Sequence, residues 1–232
     1  MLASSGKSLY SDDFSTILLD SPEAKKALQY WVDLAKAGVG PSPLNPEATG
    51  FIDLFTQGKL GMMTVGYWFA GILKSTDASK SHLDDFMLLP APMVAGGKAI
   101  EASQVGTGGI INSKTRHPKE AWTVFEWFFG GKPADERAAS GWGLPGFQSK
   151  MSKVPVATNF DKQTYAVVSN NVSHLTTIPN NPYISTTAID TIFGKYFMPV
   201  YFGEDTLDGA IAKSKKEIEI QIRENKDIVG VK

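Results

Sequence analysis

The stretch Phe55-Thr-Gln-Gly58-Lys-Leu-Gly-Met62-Met-Thr-Val-Gly66-Tyr-Trp68 constrains the fold more than any other, because its residue types prescribe an order of elements. Gly58 is suited to end a helix in the left-handed region that other residues avoid. Leu60 to Val65 is the short apolar run expected of a buried strand. Gly66 lets the backbone bend, after which Tyr67 and Trp68 either pack as core aromatics or face outward.

At 232 residues, with 42% hydrophobic and 20% charged content, the chain is long enough for one large or two small folded domains. Its 23 basic and 24 acidic side chains leave a net charge of -1, which gives no bias towards nucleic acid or an anionic membrane. The densest basic run, Lys213 to Lys216, shares a helical pattern with Glu217, Glu219 and Arg223 and reads as a solvated helix face. The absence of cysteine removes disulfides, thiol nucleophiles and thiolate metal sites together. No window reaches the ~20 apolar residues of a membrane helix. Met1-Leu-Ala-Ser-Ser-Gly6 has neither the basic start nor the apolar core of a signal peptide, so the expectation is a soluble chain without an export signal.

Ser21-Pro22-Glu23 predicts the start of a helix running to Gly38, with Leu28, Trp31, Val32 and Ala35 on its apolar face and Trp31 in the core. A helix over 48–57 and a strand over 60–65 follow, then a brief apolar helix after Trp68 and a polar connection from Ser75 to Asp85. Phe86 to Pro90 reads as a strand entering a Pro-restricted segment, and Ser103 to Ser113 as a strand built over glycines. Pro118 opens the most hydrophobic helix, with Ala121, Trp122, Phe125, Phe128 and Phe129 on one side and Gly130-Gly131 at its end. That helix needs a large partner surface, and none is evident in the sequence. A short helix from Lys132 precedes the turn-rich Ser140 to Phe147, and helices are predicted over 161–170, 187–202 and 206–225 with a Pro- and Asn-rich loop over 176–182.

Most apparent chemical motifs fail on context. Gly6-Lys7-Ser8 lacks the earlier glycine and the preceding strand of a phosphate-binding loop. Gly106-Thr107-Gly108-Gly109 leads into the strand-like Ile110-Ile111, where a dinucleotide fingerprint requires a helix. His82, His117 and His174 have no second ligand at metal spacing, and the acidic pairs Asp12-Asp13 and Asp84-Asp85 are adjacent residues that do not converge on one reacting centre. These motifs assign no catalytic residue, no metal and no cofactor. The aromatic residues are more informative. Sugars present apolar C–H faces beside hydroxyls, so a site for them joins flat rings to amide and hydroxyl partners. Tyr67-Trp68, Trp142 and Tyr183 follow glycine or proline in loop-like sequence, with Asn180, Asn181 and Ser185 near the last.

Several segments carry a resemblance in a fixed order. The opening block resembles the "F-x-x-G-x-x-x-M-x-x-x-G-x-W" pattern of extracellular solute-binding proteins of carbohydrate ABC transporters, the maltodextrin- and glycerol-phosphate-binding type. Ser21-Pro-Glu23 to Gly38 is similar to that family's "S-P-E" helix, and Leu88-Leu-Pro90-Ala-Pro92 to its "P-x-P" strand exit. Gly108-Gly109 through Ser113-Lys114 to Glu120-Ala121-Trp122 resembles its "G-G-…-S-K-…-E-A-W" strand and helix, and Gly141 to Pro145 its following turn. Gly203 to Ala210 resembles the closing helix, with Gly209 where the family usually has Glu.

The resemblance implies a helix-rich α/β fold, the C-terminal portion of a two-lobed periplasmic-binding-protein-like architecture without its N-terminal half. Residues 1–85 and 139–232 would belong to the second lobe and 86–138 would cross to the first. It further implies a carbohydrate ligand held in an interlobe cleft, with Trp68 as stacking platform and Tyr67, Trp142, Tyr183, Asn181 and Gly108 lining the site. The implied partners are the membrane permease subunits, with no nucleic acid, and the implied location is extracellular, periplasmic or lipid-anchored at the cell surface. The exposed crossing segment implies self-association or pairing with a separate N-terminal piece. A glycoside-hydrolase-like fragment and a protein-interaction module are the alternatives.

Overall fold

The computed structural model describes residues 1–103, 108–177 and 179–230. Among them eight α-helices form: α1 (Pro22–Lys36), α2 (Phe51–Thr56), α3 (Phe69–Ser75), α4 (Pro118–Gly130), α5 (Lys132–Ser140), α6 (Asn159–Asn171), α7 (Thr186–Tyr201) and α8 (Leu207–Val229). Strands β1 (Glu101–Ser103) and β2 (Leu175–Thr177) pair as the two-stranded sheet.

The helix boundaries follow local chemistry. Ser21 accepts a hydrogen bond from the Ala24 N–H at the start of α1, where Pro22 occupies a position whose N–H would have no partner. Thr158 and Asp161 bond reciprocally to each other's backbone N–H at the start of α6, a capping box. Ser185 and Thr206 cap α7 and α8 as Ser21 caps α1, each accepting one hydrogen bond, from the Ala188 N–H and the Gly209 N–H.

The chain forms two compact units. The first comprises Met1–Ala48, Pro92–Ala102 and Thr176–Lys232. Its core joins α1, α7 and α8 around Ile17, Val32, Ile192, Phe197, Ile211, Ile218 and Ile222. Burial of each such aliphatic side chain contributes about 1.5–3 kcal/mol. The second unit comprises Thr49–Ala91 and Ser103–Leu175. There Phe69, Ala70 and Leu73 of α3 meet Phe160 of α6, with Phe55, Met63, Val65, Tyr67 and Phe86 packed around them.

Several expectations are corrected. Residues 60–65 form no strand, although Met63, Val65 and Tyr67 turn inward while Met62, Thr64 and Trp68 turn out. The period of two is present, and among the described residues no neighbouring strand hydrogen-bonds to it. Phe86 to Pro90 also joins no sheet; the Gln163 side chain bonds both the N–H and the C=O of Leu88, at 3.0 and 2.6 Å, and takes the place of a neighbour. Trp31 is not a core residue. It is 56% exposed and lies edge-on to Tyr30, because the buried stripe of α1 runs through Ala24, Val32 and Ala35 and passes beside it. The strand expected over 103–113 falls partly outside the described residues; Ser103 closes β1, and 108–112 are in no regular element. The loop expected over 176–182 includes the end of β2, and its residue 178 lies outside the described residues.

Helix α4 keeps the apolar side expected of it and buries none of it fully. Trp122, Val124, Trp127 and Phe128 are exposed. Trp122 stacks on Phe125, Phe125 meets Phe129 at a tilt, and the two phenylalanine rings lie against the backbone at Gly109.

Candidate functional site

The second unit brings three of the aromatic candidates together. Trp68 is the residue preceding α3, and Trp142 follows the end of α5. The link between them is Gly143, where a Cβ would lie 3.8 Å from the Trp68 Cβ. Trp68 is 38% and Trp142 44% exposed, so both rings reach solvent.

Each indole is seated by glycine. The end of α5 is a Schellman motif: Gly141 takes φ +79°, its N–H bonds to Ala138 C=O, and the Trp142 N–H bonds to Arg137 C=O at 3.3 Å. This fixes the backbone of Trp142. Its ring is fixed by α3, since a Cβ on Gly71 would stand 2.6, 2.7 and 2.8 Å from Cδ1, Cγ and Nε1. Near-equal distances to three adjacent ring atoms place Gly71 beneath the indole face. Trp68 is held differently: a Cβ on Gly66 would meet its Cδ1 and Nε1 at 2.7 Å but Cγ at 3.8 Å, a contact with the ring edge.

Tyr67 turns from solvent into the second core, so the two residues of the pair divide between the alternatives open in the sequence. Its hydroxyl and the Lys74 Nζ stand 4.0 and 3.9 Å from where a Cβ on Gly141 would be. Lys74 pairs with Asp161 at 2.7 Å, and the Asp161 carboxylate is almost fully buried. Burial pushes the Tyr67 phenol up, the Asp161 charge adds to this, and a hydrogen bond with Thr164 opposes it. Burial also pushes Asp161 up, but the Lys74 ammonium and the hydrogen bonds from Thr158 outweigh it and hold the carboxyl below its ordinary range. The result is two solvent-reaching indoles, with a phenol, an ammonium and a carboxylate grouped beside Gly141, next to Trp142.

Tyr183 and Asn181 belong to the first unit. Asn181 is only 8% exposed, and its amide is committed within the chain: Nδ2 donates to Phe14 C=O and Oδ1 accepts from the Tyr183 N–H. Tyr183 is half-buried with the Lys226 ammonium 5.0 Å over its ring, beside a hollow of about 390 Å³ lined also by Asn225 and Ile228. Gly108 is exposed in the second unit. Lys74, Asp161 and Gly71 were not foreseen. The Thr158-x-x-Asp161 spacing announces a cap, and a glycine inside an apolar helix announces a close approach, but no local signal links Lys74 to an acid 87 residues away. No group of three or more His, Asp or Glu among the described residues could hold a metal ion.

Residues 1–132 match the family model described as bacterial extracellular solute-binding protein. No curated protein matches the chain significantly. Among solved structures, an ABC transporter solute-binding protein from Thermotoga lettingae bound with α-D-tagatose is similar at a TM-score of 0.75 and 21% identity, over 95% of this chain and 54% of its own. An ABC substrate-binding protein from Listeria monocytogenes in complex with cycloalternan is similar at 0.66 and 18%, over 100% and 55%. The cyclic α-maltosyl-1,6-maltose binding protein from Arthrobacter globiformis is similar at 0.63 and 20%, over 96% and 54%. The chain thus spans just over half the length of these structures.

Proposed function

This chain belongs to the bacterial extracellular solute-binding proteins, and on that premise we propose that it binds a carbohydrate for an ABC importer, with Trp68 and Trp142 as its stacking surfaces. Its fold is the helix-rich, periplasmic-binding-protein-like fold of the solved structures it resembles. Because it spans about half of each, the activity and partners of a whole family member enter here as proposals.

The observation that carries the reading is the pair of solvent-reaching indoles joined through Gly143 and flanked by Tyr67 and Lys74. Flat rings take the C–H face of a sugar, and the polar neighbours take its hydroxyls. Trp68 is the principal platform. Gly108, exposed in the same unit, is assigned as further lining of the ligand. The ligands named for the relatives, D-tagatose and cycloalternan among them, support the class of compound. In an intact family member the ligand enters between lobes, closure traps it, and the closed form engages the permease on the outer side of the membrane. No catalytic step is assigned.

The test is calorimetry on a version of full family length with cycloalternan and D-tagatose. Trp68→Ala is expected to weaken binding of the sugar recognised by about tenfold, the upper end of an aromatic contact, with an unchanged circular dichroism spectrum. Undiminished affinity would remove Trp68 as a platform. The uncovered apolar side of α4 supports a second assignment, association of this chain with another copy or with a complementary N-terminal piece.

A further inference from the structure

We infer that Gly71 is a positioning residue for the ligand: it is the seat on which the Trp142 indole lies, and its missing side chain sets how far that ring stands from Trp68. The inference rests on the platform reading and goes beyond it, since Gly71 itself touches no ligand.

Three observations carry it. Gly71 is buried within α3, a helix otherwise composed of Phe, Ala, Ile, Leu, Lys and Ser, where a glycine weakens the helix relative to alanine. Its φ is not positive, so the backbone conformation does not require glycine there. What requires it is Trp142. A Cβ would fall within 2.8 Å of three atoms of the pyrrole ring, closer than real Cβ atoms come to anything. The indole cannot yield by sliding with its backbone, because the Schellman bonds of Gly141 and Trp142 anchor that end of α5. It can only rotate away from α3, which tilts the outer face on which a sugar would stack.

Gly71 is therefore the floor of a slot whose occupant is a side chain of the same protein. A single methyl group converts a flat indole seat into a wedge. The consequence for ligand is one of geometry: stacking requires ring and sugar faces to be near-parallel, and a tilted Trp142 next to an unmoved Trp68 presents two surfaces that no longer suit one ligand.

The experiment has one part that needs no ligand and no variant. In labelled protein, nuclear Overhauser contacts between the Gly71 Hα protons and the Trp142 indole protons are expected; their absence overturns the inference. In Gly71→Ala the indole N–H resonance of Trp142, assigned by its loss in Trp142→Phe, is expected to move while those of the other four tryptophans stay. The melting temperature should change by no more than about 4 °C, since alanine favours the helix as the ring leaves it. A Trp142 resonance that does not move overturns the inference.

The link to ligand is read by a cycle on the sugar panel above. Gly71→Ala and Trp142→Ala are each expected to weaken binding by about tenfold, and the double variant no further than Trp142→Ala alone. Full additivity of the two losses, or unchanged affinity in Gly71→Ala beside a loss in Trp142→Ala, overturns the positioning role. If Trp142→Ala has no effect, or no sugar binds, the platform reading falls, and with it the ligand role of Gly71, while the resonance measurement still judges the seat.

Discussion

Asp161 does two jobs with one carboxylate, capping α6 through Thr158 and holding the Lys74 ammonium beside Tyr67. Its carboxyl is held below the ordinary range in the folded chain, so its contribution to stability is present above the unfolded value of about 3.9 and is lost as pH falls through the folded value. Asp161→Asn is expected to lower stability by about 1–2 kcal/mol at pH 7, measured by urea unfolding, because a charge-assisted bond is lost and Lys74 is left half-buried without its partner. The deficit should shrink as pH drops below 4. A deficit that stays constant to pH 2.5 would show that charge has no part in it. At this scale the sequence was a good guide to residues whose role is local. Ser21, Gly58 and Gly141 stand where a cap or a left-handed turn needs them, and no distant partner is involved. It was a poor guide to Trp31, whose position one step beside the buried stripe of α1 is decided by what α1 packs against.

Elements divide by where their hydrogen bonds are made. The helices keep theirs within one segment, and the predicted ones formed within a few residues of their expected ends. Strands borrow theirs from neighbours. Residues 60–65 show the alternation of a strand without the ladder, and their amides are expected to exchange with solvent much faster than those of α8. Helix α4 presents the complementary case, a complete helix with no buried residue. Trp127→Lys and Phe128→Glu are each expected to reduce self-association in light scattering without loss of helix content, and the exchange protection of α4 amides should rise with protein concentration. A monomer at all concentrations, with α4 already protected, would remove the association proposal. Gly141→Ala tests the end of α5: an L-residue in the left-handed region costs about 1–2 kcal/mol and would loosen the anchor of Trp142.

For the molecule as a whole, the two units differ in what they hold. The first has the larger core, with Ile17, Ile218 and Ile222 almost wholly excluded from water, and hydrogen-exchange protection should be greatest in α7 and α8. The second carries the paired indoles and the polar group beside them. The sequence by itself determined the helices, the Ser21 cap and the glycine turns, and the ordered motifs pointed to the family that the comparisons then established. Those features depend on backbone conformation and residue type, which neighbours in the chain specify. Only the tertiary structure decided which aromatics meet, that Tyr67 turns inward while Trp68 does not, that Asn181 spends its amide on Phe14, and that Lys74 finds Asp161. These are contacts between residues far apart in sequence. Their partners are chosen by packing, and no local pattern encodes the distance from Gly71 to Trp142.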